Sequence, residues 1–302
     1  MKVSLLLPTY NWPEALSLCL RSAFSQTRPP DEILVGDDGS TEATSDLIHQ
    51  LAADSPVPFY HVWQPDEGFR AAAIRNKMLA TATSDYILLV DSDMVLERHF
   101  VADHLRAARQ GTFIQGSRVL LGPTATERAM KEGITRFRLF DSDIENRKNM
   151  IRSRVLSALA SVAPGRSYRK IRTCNFALWR DDAMKVGGFD ESYVGWGGED
   201  TDLAIRLINA GVRRRNIRHT AVAFHLFHPT CSRDNYSRNR QRYQDVLRRR
   251  SVRAEIGLER YLEEGVAIDV TDLTPDRLRD SNDVSSQGSP SNGKNEVSLE
   301  AA

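Results

Sequence analysis

Apolar and polar residues alternate along the first 120 residues in a way that predicts repeated strand–helix units. Short apolar runs of strand length are separated by longer stretches with a helical pattern. This order is typical of a mainly parallel sheet covered by helices, so we predict an α/β fold. The predicted strands cover residues 2–7, 32–36, 57–62, 86–90 and 112–119.

Polar residues at two places predict where the first two helices begin. Asn11 stands before Pro13 and Glu14, an order typical of a helix that Asn11 caps and Glu14 closes as a capping box. Ser40 and Thr41 are suited to start the second helix in the same way. We therefore expect these helices to begin just after residues 11 and 41.

The pattern changes in the second half of the chain. Residues 127–172 are rich in Arg and Lys. Within them, residues 150–163 have a partly apolar face, which fits a packed helix or mobile cover and also fits a helix at a membrane surface. Polar residues dominate from residue 272 onward, as in disordered segments. These shifts predict a main domain at 1–230, a basic helical extension at 231–271 and a disordered tail at 272–302.

The overall composition excludes several classes of protein. Hydrophobic residues make up 41% and charged residues 27% of the chain, which is typical of a globular protein. The formal net charge is +1, so any anion site must be local. The Arg-rich stretches at 213–218 and 233–253 contain few aromatic residues, and we therefore expect no nucleic-acid binding.

Targeting signals and cysteine usage indicate the compartment. The N-terminus lacks the pattern of a signal peptide, and no run approaches the roughly 18 apolar residues of a membrane span. Cys19, Cys174 and Cys231 are an odd number, at spacings that match neither a disulfide framework nor a zinc ribbon. A reducing cytosol fits this usage, so we expect a cytoplasmic protein.

Polar motifs follow three of the predicted strands, at residues 8–11, 36–41 and 91–93. In an open α/β sheet, ligands gather outside these carboxyl ends, where loops converge and helices present free N–H groups. The string Asp37-Asp38-Gly39-Ser40 by itself is equally typical of a turn followed by a helix cap. Its chemistry therefore depends on what lies beside it.

Asp91 and Asp93 stand two positions apart at the end of the fourth predicted strand. If the extended backbone continues, both carboxylates point to the same side of the chain. A hard divalent cation such as Mg²⁺ or Mn²⁺ would balance the two charges and would also bind a diphosphate. A solvated strand end with two surface aspartates is the alternative.

A second acidic cluster follows a glycine-rich turn at residues 195–198. The glycines let the backbone approach a ligand, and Trp196 offers a flat face that can stack on a sugar ring. Glu199 and Asp200 stand at a predicted helix start, where a carboxylate stays ionised and can take a proton from a hydroxyl. An acidic helix cap explains the same residues without a ligand.

His225 and His228 end an apolar strand that begins near residue 220. A neutral imidazole is a candidate third ligand for the divalent ion. A histidine with only a structural role is the alternative, because the sequence does not show which residues lie beside it.

The order of these motifs resembles that of a known family. PTYN is followed by VGDDGST, GFRAAAIRN, DSD, GGFDESYVGWGGEDTDL and a histidine at a strand end. Over residues 2–230 the chain resembles glycosyltransferase family 2, and its motifs are similar to those of chondroitin-polymerase-type enzymes and β-1,4-galactosyltransferases. The resemblance implies an inverting enzyme with the A-type glycosyltransferase fold, a Rossmann-like sheet flanked by helices. It divides the main domain into a nucleotide-binding part at 1–120 and an acceptor and catalytic part at 121–230.

The resemblance also implies a role for each candidate residue. Asp200 would be the general base, and Glu199 would bind the sugar or acceptor. The acceptor platform would comprise Trp196, Gly197 and Gly198. The ligands of a Mn²⁺ or Mg²⁺ ion would be Asp93, Asp91 and His225, with His228 in reserve. The nucleotide-binding set would comprise Pro8, Thr9, Tyr10, Asn11, Asp37, Asp38, Arg70, Arg75 and Asp91.

Individual roles follow within the nucleotide-binding set. Residues 8–10 would line the base site, and Asp38 would hydrogen-bond the base. Asp91 would contact the ribose or the metal. The forked guanidinium of Arg70 or Arg75 would suit the diphosphate.

Donor, acceptor and alternatives stay open at this point. The resemblance favours a uridine diphosphate sugar, with galactose, N-acetylgalactosamine and glucose all open, and a saccharide or lipid-linked saccharide as acceptor. Peripheral contact with an anionic inner membrane is a further expectation. One alternative is a sugar nucleotidyltransferase, which should carry a Gly-rich basic loop that residues 8–11 do not supply. Another is a non-catalytic nucleotide-sugar- or carbohydrate-binding protein, which the presence of Asp91, Asp93 and Asp200 disfavours.

Overall fold

The first strand of the chain lies at the centre of the main sheet. In the computed structural model, which describes residues 1–160, 164–229 and 233–276, the run VSLLLPT is buried along almost its whole length. The strands are β1 (Val3–Thr9), β2 (Glu32–Asp37), β3 (Phe59–Trp63), β4 (Tyr86–Leu89), β5 (Met94–Leu96), β6 (Thr112–Gln115), β7 (Val119–Leu121), β8 (Ile144–Glu145), β9 (Phe176–Trp179), β10 (Arg213–Asn216), β11 (Ala223–His225) and β12 (Asp269–Asp272).

The main sheet has the strand order β10-β6-β9-β4-β1-β2-β3-β12. β9 runs antiparallel to both of its neighbours and β12 runs antiparallel to β3, while the other pairs are parallel. Apolar side chains pack on both faces, as parallel strands require. The predicted α/β fold is therefore confirmed. The helices are α1 (Pro13–Phe24), α2 (Glu42–Ala52), α3 (Ala71–Thr81), α4 (Phe100–Ala107), α5 (Pro123–Glu132), α6 (Arg154–Ala160), α7 (Arg180–Lys185), α8 (Glu199–Asn209), α9 (Tyr236–Arg249) and α10 (Glu259–Leu262).

A smaller sheet, of order β5-β11-β7-β8, packs against α1 and α5 in an apolar cluster of its own. The single strand predicted at 112–119 is wrong, because the chain leaves the main sheet after Gln115 and enters the small sheet at Val119. Gly116 allows the change, since a Cβ there would lie 2.2 Å from Oδ1 of Asn175. The chain therefore passes from the main sheet to the small sheet at a glycine whose backbone lies against the side chain of Asn175.

The helix starts are where the sequence predicted them, but the predicted cap is wrong. α1 begins at Pro13 without a side-chain cap. The side chain of Asn11 instead accepts a hydrogen bond from the backbone N–H of Thr41 at 2.8 Å, and the N–H of Asn11 donates to Oγ of Ser40 at 2.9 Å. Asn11 thus ties the loop after β1 to the loop after β2. α2 likewise begins after Thr41 without a side-chain cap.

The C-terminal extension returns to the main body. α9 packs against α8 and α10 packs against α3. The structure also adds β12, an edge strand that the predicted helical extension did not include. Of the predicted disordered tail, residues 277–302 lie outside the described residues, as does Cys231. Within the described part of the chain, no helix is long and apolar enough to cross a membrane.

Candidate active site

The loop after β2 is shaped by its two aspartates. Asp37 is buried, accepts a hydrogen bond from the N–H of Ser40 at 2.8 Å, and lies 3.4 Å from Nε2 of His61. Asp38 accepts hydrogen bonds from the side-chain amide of Gln64 and, at 2.9 Å, from the N–H of Arg70. Burial raises the pKa of Asp38 despite these hydrogen bonds. The two carboxylates therefore fix the loop and fasten the segment before α3 to it.

The end of β1 offers an exposed aromatic ring beside this loop. Tyr10 is half exposed and donates a hydrogen bond from its hydroxyl to Asp66 at 3.0 Å. Thr9 is buried, and the carbonyl of Pro8 accepts a hydrogen bond from the N–H of Ser92 at 3.2 Å. The structure thus brings residues 8–11 next to the Asp91–Asp93 segment.

The backbone does not stay extended through Asp91 and Asp93. β4 ends at Leu89, and the chain turns so that the N–H of Met94 donates to the carbonyl of Asp91 at 3.1 Å. The prediction that both side chains share one direction from an extended strand is therefore wrong. The two carboxylates remain close enough to interact electrostatically, but each has its own partners.

Asp93 meets both candidate histidines. Oδ2 of Asp93 lies 3.2 Å from Nε2 of His225 and 3.2 Å from Nε2 of His228. The antiparallel pairing of β5 with β11 sets His225 opposite Met94, and the N–H of Leu226 donates to the carbonyl of Asp93 at 2.9 Å. The sequence left the choice between the histidines open, and the structure brings both to the same carboxylate.

This cluster fits a divalent metal ion. Ligand atoms of Asp93, His225 and His228 lie within 4.8 Å of one another. Oδ1 of Asp93 is buried and has no hydrogen-bond partner among the described residues, so a ligand for it would satisfy an otherwise unpaired oxygen. Burial favours the neutral form of Asp93, but the hydrogen bonds from both histidines hold its pKa below its usual range. One carboxylate and two imidazoles are donors that suit a divalent transition-metal ion. Asp91 does not belong to this group.

Arg75 joins three carboxylates from separate parts of the chain. Its Nη2 lies 3.2 Å from Oδ1 of Asp91, and its Nη1 lies 3.1 Å from Oε1 of Glu199 and 3.3 Å from Oδ1 of Asp200. Its guanidinium is buried, which opposes the charge, but Asp200, Asp91 and Glu199 together raise the pKa of Arg75 above its ordinary value. Both terminal nitrogens thus face carboxylates, whereas the resemblance implied a diphosphate contact.

Asp200 receives two further hydrogen bonds from Thr173, a residue that nothing in the sequence singled out. The Thr173 N–H donates to Oδ2 at 3.0 Å, and its hydroxyl donates to Oδ1 at 2.9 Å. The neighbouring Glu199 is more deeply buried, and burial followed by repulsion from Asp200 raises the pKa of Glu199 to about 7. The carboxylate of Asp200 is therefore held in one orientation, while burial favours the protonated form of Glu199.

The glycine-rich turn before α8 contacts two other segments. The N–H of Gly195 donates to the carbonyl of Phe69 at 3.0 Å, beside the segment that Asp38 holds. Gly197 and Gly198 have φ angles of 89° and 109°, which favour glycine. The ring of Trp196 lies 5.8 Å from that of Tyr236 in α9. The sequence separated α9 from the main domain and did not predict this contact.

Arg70 contributes mainly through its backbone. Its side chain forms an ion pair with Glu67 at 2.8 Å, three residues earlier. The structure therefore brings the predicted residues into one region. The end of β1 contacts the Asp91–Asp93 segment, Arg75 joins Asp91 to Glu199 and Asp200, and the turn with Trp196 contacts the segment that Asp38 holds.

Family models match most of the described chain. The model for "Glycosyl transferase family 2" matches residues 4–162, and the model for "N-terminal domain of galactosyltransferase" matches residues 153–229. Chondroitin synthase from Escherichia coli is 25% identical over 242 residues, which cover 74% of this chain and 34% of that protein. Validoxylamine A glucosyltransferase from Streptomyces hygroscopicus subsp. limoneus is 28% identical over 239 residues, 70% of this chain and 48% of that protein. The chain thus spans half or less of these relatives.

Solved structures share the fold. S. aureus TarS 1–349 in complex with UDP superposes with a TM-score of 0.55 at 16% identity, over 80% of this chain and 64% of that chain. The mannosyltransferase PcManGT from Pyrobaculum calidifontis, in complex with GDP-Man and Mn²⁺, superposes with a TM-score of 0.53 at 19% identity, over 80% of this chain and 61% of that chain. At these identities the likeness concerns the fold.

Proposed function

Since the chain belongs to glycosyltransferase family 2 and has the A-type fold of such enzymes, we propose that it is an inverting transferase of nucleotide sugars. The donor would be a uridine diphosphate hexose or N-acetylhexosamine, and the acceptor a saccharide or lipid-linked saccharide. The observation that carries the proposal is that Arg75 joins Asp200 to Asp91. Asp91 stands two residues before Asp93, so a candidate base and a candidate metal site lie in one region. Binding of the donor at the residue 8–11 end would place its diphosphate toward this cluster.

Asp93, His225 and His228 would hold a divalent ion, Mn²⁺ or Mg²⁺. When bound, such an ion supplies positive charge that stabilises a departing nucleoside diphosphate. Two imidazoles beside one carboxylate favour Mn²⁺ over Mg²⁺, because Mg²⁺ prefers oxygen ligands. Asp91 would act beside this site, with Arg75 balancing its charge.

Asp200 would take the proton from the attacking acceptor hydroxyl. Its carboxylate stands in the first turn of α8, where the helix dipole favours the anion. Thr173 and Arg75 orient both of its oxygens, and a fifth of its side chain remains exposed to an incoming acceptor. Glu199 would position Arg75 from the buried side. The acceptor sugar would lie on Trp196, next to the turn that leads into Asp200.

A screen of nucleotide sugars tests this function. Wild-type protein is incubated with UDP- and GDP-sugars, with and without Mn²⁺, and release of the nucleoside diphosphate is measured. We expect release from one or a few donors, lost with chelator and in Asp93→Ala. A flat response to every donor, with and without metal, would contradict the proposal.

Contact with a membrane surface is a second proposal, and it rests on α6. Val155 and Leu159 expose 69% and 79% of their surface on this helix, and Phe140 exposes 93% on the loop before β8. Arg154 and Lys148 stand in the same segment, and basic residues beside exposed apolar ones favour anionic lipid. Co-sedimentation with phosphatidylglycerol vesicles at low salt, reduced in Val155→Ser/Leu159→Ser, is expected. If the wild type and the variant both stay in the supernatant, the proposal is removed, and with it the expected location at the cytoplasmic membrane face.

A further inference from the structure

Helix α9 is fastened to the turn that carries Trp196. The side-chain amide of Asn239, which is buried, donates to the carbonyl of Val194 at 3.2 Å. One turn later, Nη1 of Arg242 donates to Oγ of Ser192 at 3.0 Å. These bonds hold the first two turns of α9 in a fixed position beside the turn.

The start of α9 extends the flat surface of Trp196. Tyr236 is 39% exposed, and its ring lies 5.8 Å from the ring of Trp196 at an angle of 38°. A Cβ on Gly197 would lie 3.4 Å from Cδ2 of Tyr236, so this ring covers the backbone just before Glu199 and Asp200. Two aromatic rings therefore stand side by side next to the general base, an area larger than one sugar ring needs.

Positive charge lies on this aromatic surface. The guanidinium carbon of Arg233 lies over one face of the Trp196 ring, 5.1 Å from its centre, so a saccharide would stack on the other face of Trp196 and on Tyr236. Arg240 follows Tyr236 by four residues and so lies on the same face of α9. No carboxylate within the described ranges lies at ion-pair distance from Arg233 or Arg240, and both side chains are exposed. The surface therefore offers aromatic stacking together with two guanidinium groups that the rest of the described chain does not neutralise.

We propose that Arg233 and Arg240 make the acceptor site selective for an acidic saccharide, whose anionic group they bind while its sugar rings lie on Trp196 and Tyr236. The forked donors of a guanidinium match carboxylate and phosphate, and an aromatic ring matches the apolar face of a pyranose. A neutral saccharide gains the stacking alone. This inference rests on the proposed function, because only that function makes the Trp196 surface an acceptor site.

Saturation-transfer NMR measures this selectivity directly. The probes are methyl β-D-glucuronide, glucose 6-phosphate and methyl β-D-glucoside, each titrated into the protein with UDP and Mn²⁺ present. We expect the wild type to bind at least one acidic probe about tenfold more tightly than the glucoside, the size of one lost charge-assisted hydrogen bond. The two acidic probes distinguish a carboxylate from a phosphate as the preferred group.

Matched variants separate the guanidinium groups from general charge. Arg233→Gln/Arg240→Gln should bring the acidic probes down to the affinity of the glucoside and leave the glucoside unchanged. Arg238→Gln is the control, because Arg238 is exposed two residues after Tyr236 and lies on the opposite face of α9. Equal binding of all three probes to the wild type, or equal losses in the control and the double variant, overturns the proposal.

Donor hydrolysis without acceptor distinguishes the two proposals. If the wild type hydrolyses no donor while the acidic probes still bind preferentially, the proposed transferase function fails and the saccharide selectivity stands. If hydrolysis is normal and no preference appears, the selectivity fails and the transferase function stands.

Discussion

Replacing Arg75 by Ala tests the electrostatic balance at the centre of the site. The change leaves Asp91, Glu199 and Asp200 close together without their shared cation. Removing one partner of a buried ion pair costs about 3–5 kcal/mol, because the remaining charge stays buried and unpaired. We therefore expect the free energy of unfolding to fall by about that amount at pH 8. Arg75→Lys keeps the charge, but a single ammonium group cannot contact Asp91 and the two carboxylates of α8 at once. We therefore expect a smaller fall in the free energy of unfolding for Arg75→Lys than for Arg75→Ala.

The loss should depend on pH in a defined direction. Burial already raises the pKa of Glu199 to about 7, against 4.5 for the free group. An acid whose pKa is raised by folding favours the folded state at low pH and disfavours it as the pH rises toward the folded pKa. Without Arg75 the pKa of Glu199 rises further. The destabilisation of Arg75→Ala should therefore be smaller at pH 5 than at pH 8.

Chemical denaturation at the two pH values, followed by circular dichroism, measures these differences. Arg70→Ala is the matched control, since the Arg70 side chain pairs only with the exposed Glu67 among the described residues. Its loss should stay below about 1 kcal/mol at both pH values. A loss of less than 1 kcal/mol for Arg75→Ala at pH 8, or a loss equal at pH 5 and pH 8, would refute the reasoning.

Three further changes have expected outcomes. Thr173→Val removes one hydrogen bond to Asp200, so the turnover of sugar transfer should fall about tenfold with the donor KM unchanged. Thr173→Ser keeps the hydroxyl and should transfer sugar at the wild-type rate. His225→Ala and His228→Ala should each weaken Mn²⁺ binding at least about tenfold in a thermal-shift titration, and an unchanged affinity would exclude that histidine as a ligand. Gly197→Ala forces a side chain into a φ of 89° and should cost about 1 kcal/mol or more of stability, measured by denaturation against Gly165→Ala, a position with open space and without a positive φ.

The strands and the order of the motifs were predictable because they are local. β1, β2 and β4 are mainly apolar runs, as is typical of strands that are buried on both faces. The break at Gly116 was not predictable, since the residue that excludes a side chain there is Asn175, about sixty residues later. The prediction that Asn11 caps α1 was wrong for a related reason. Its sequence context is that of a helix cap, but its side chain accepts a hydrogen bond from the loop after β2.

The candidate site follows the same division. Asp93 and Asp200 were identifiable from their motifs, because carboxylates at strand and helix ends point to a small set of chemistries. The arrangement around them depends on contacts between distant segments. Arg75 lies in α3 and joins Asp91 to residues 199 and 200, and Thr173 reaches Asp200 from the segment before β9. Thr173 has no sequence signal of its own, and the motif that singled out Arg75 did not predict its carboxylate partners.

The rate of sugar transfer by Asp200→Asn tests most directly the central claim that Asp200 is the general base. The amide keeps the size of the side chain and removes its ability to accept a proton. With the donor identified by the screen, we expect turnover to fall by about 10²–10⁴ with donor affinity unchanged, as for the loss of a general base. Asp181→Asn is the control: it makes the same substitution at an exposed residue in the first turn of α7, and it should keep the wild-type rate. Transfer by Asp200→Asn at a rate near that of the wild type would contradict the assignment of Asp200 as the base.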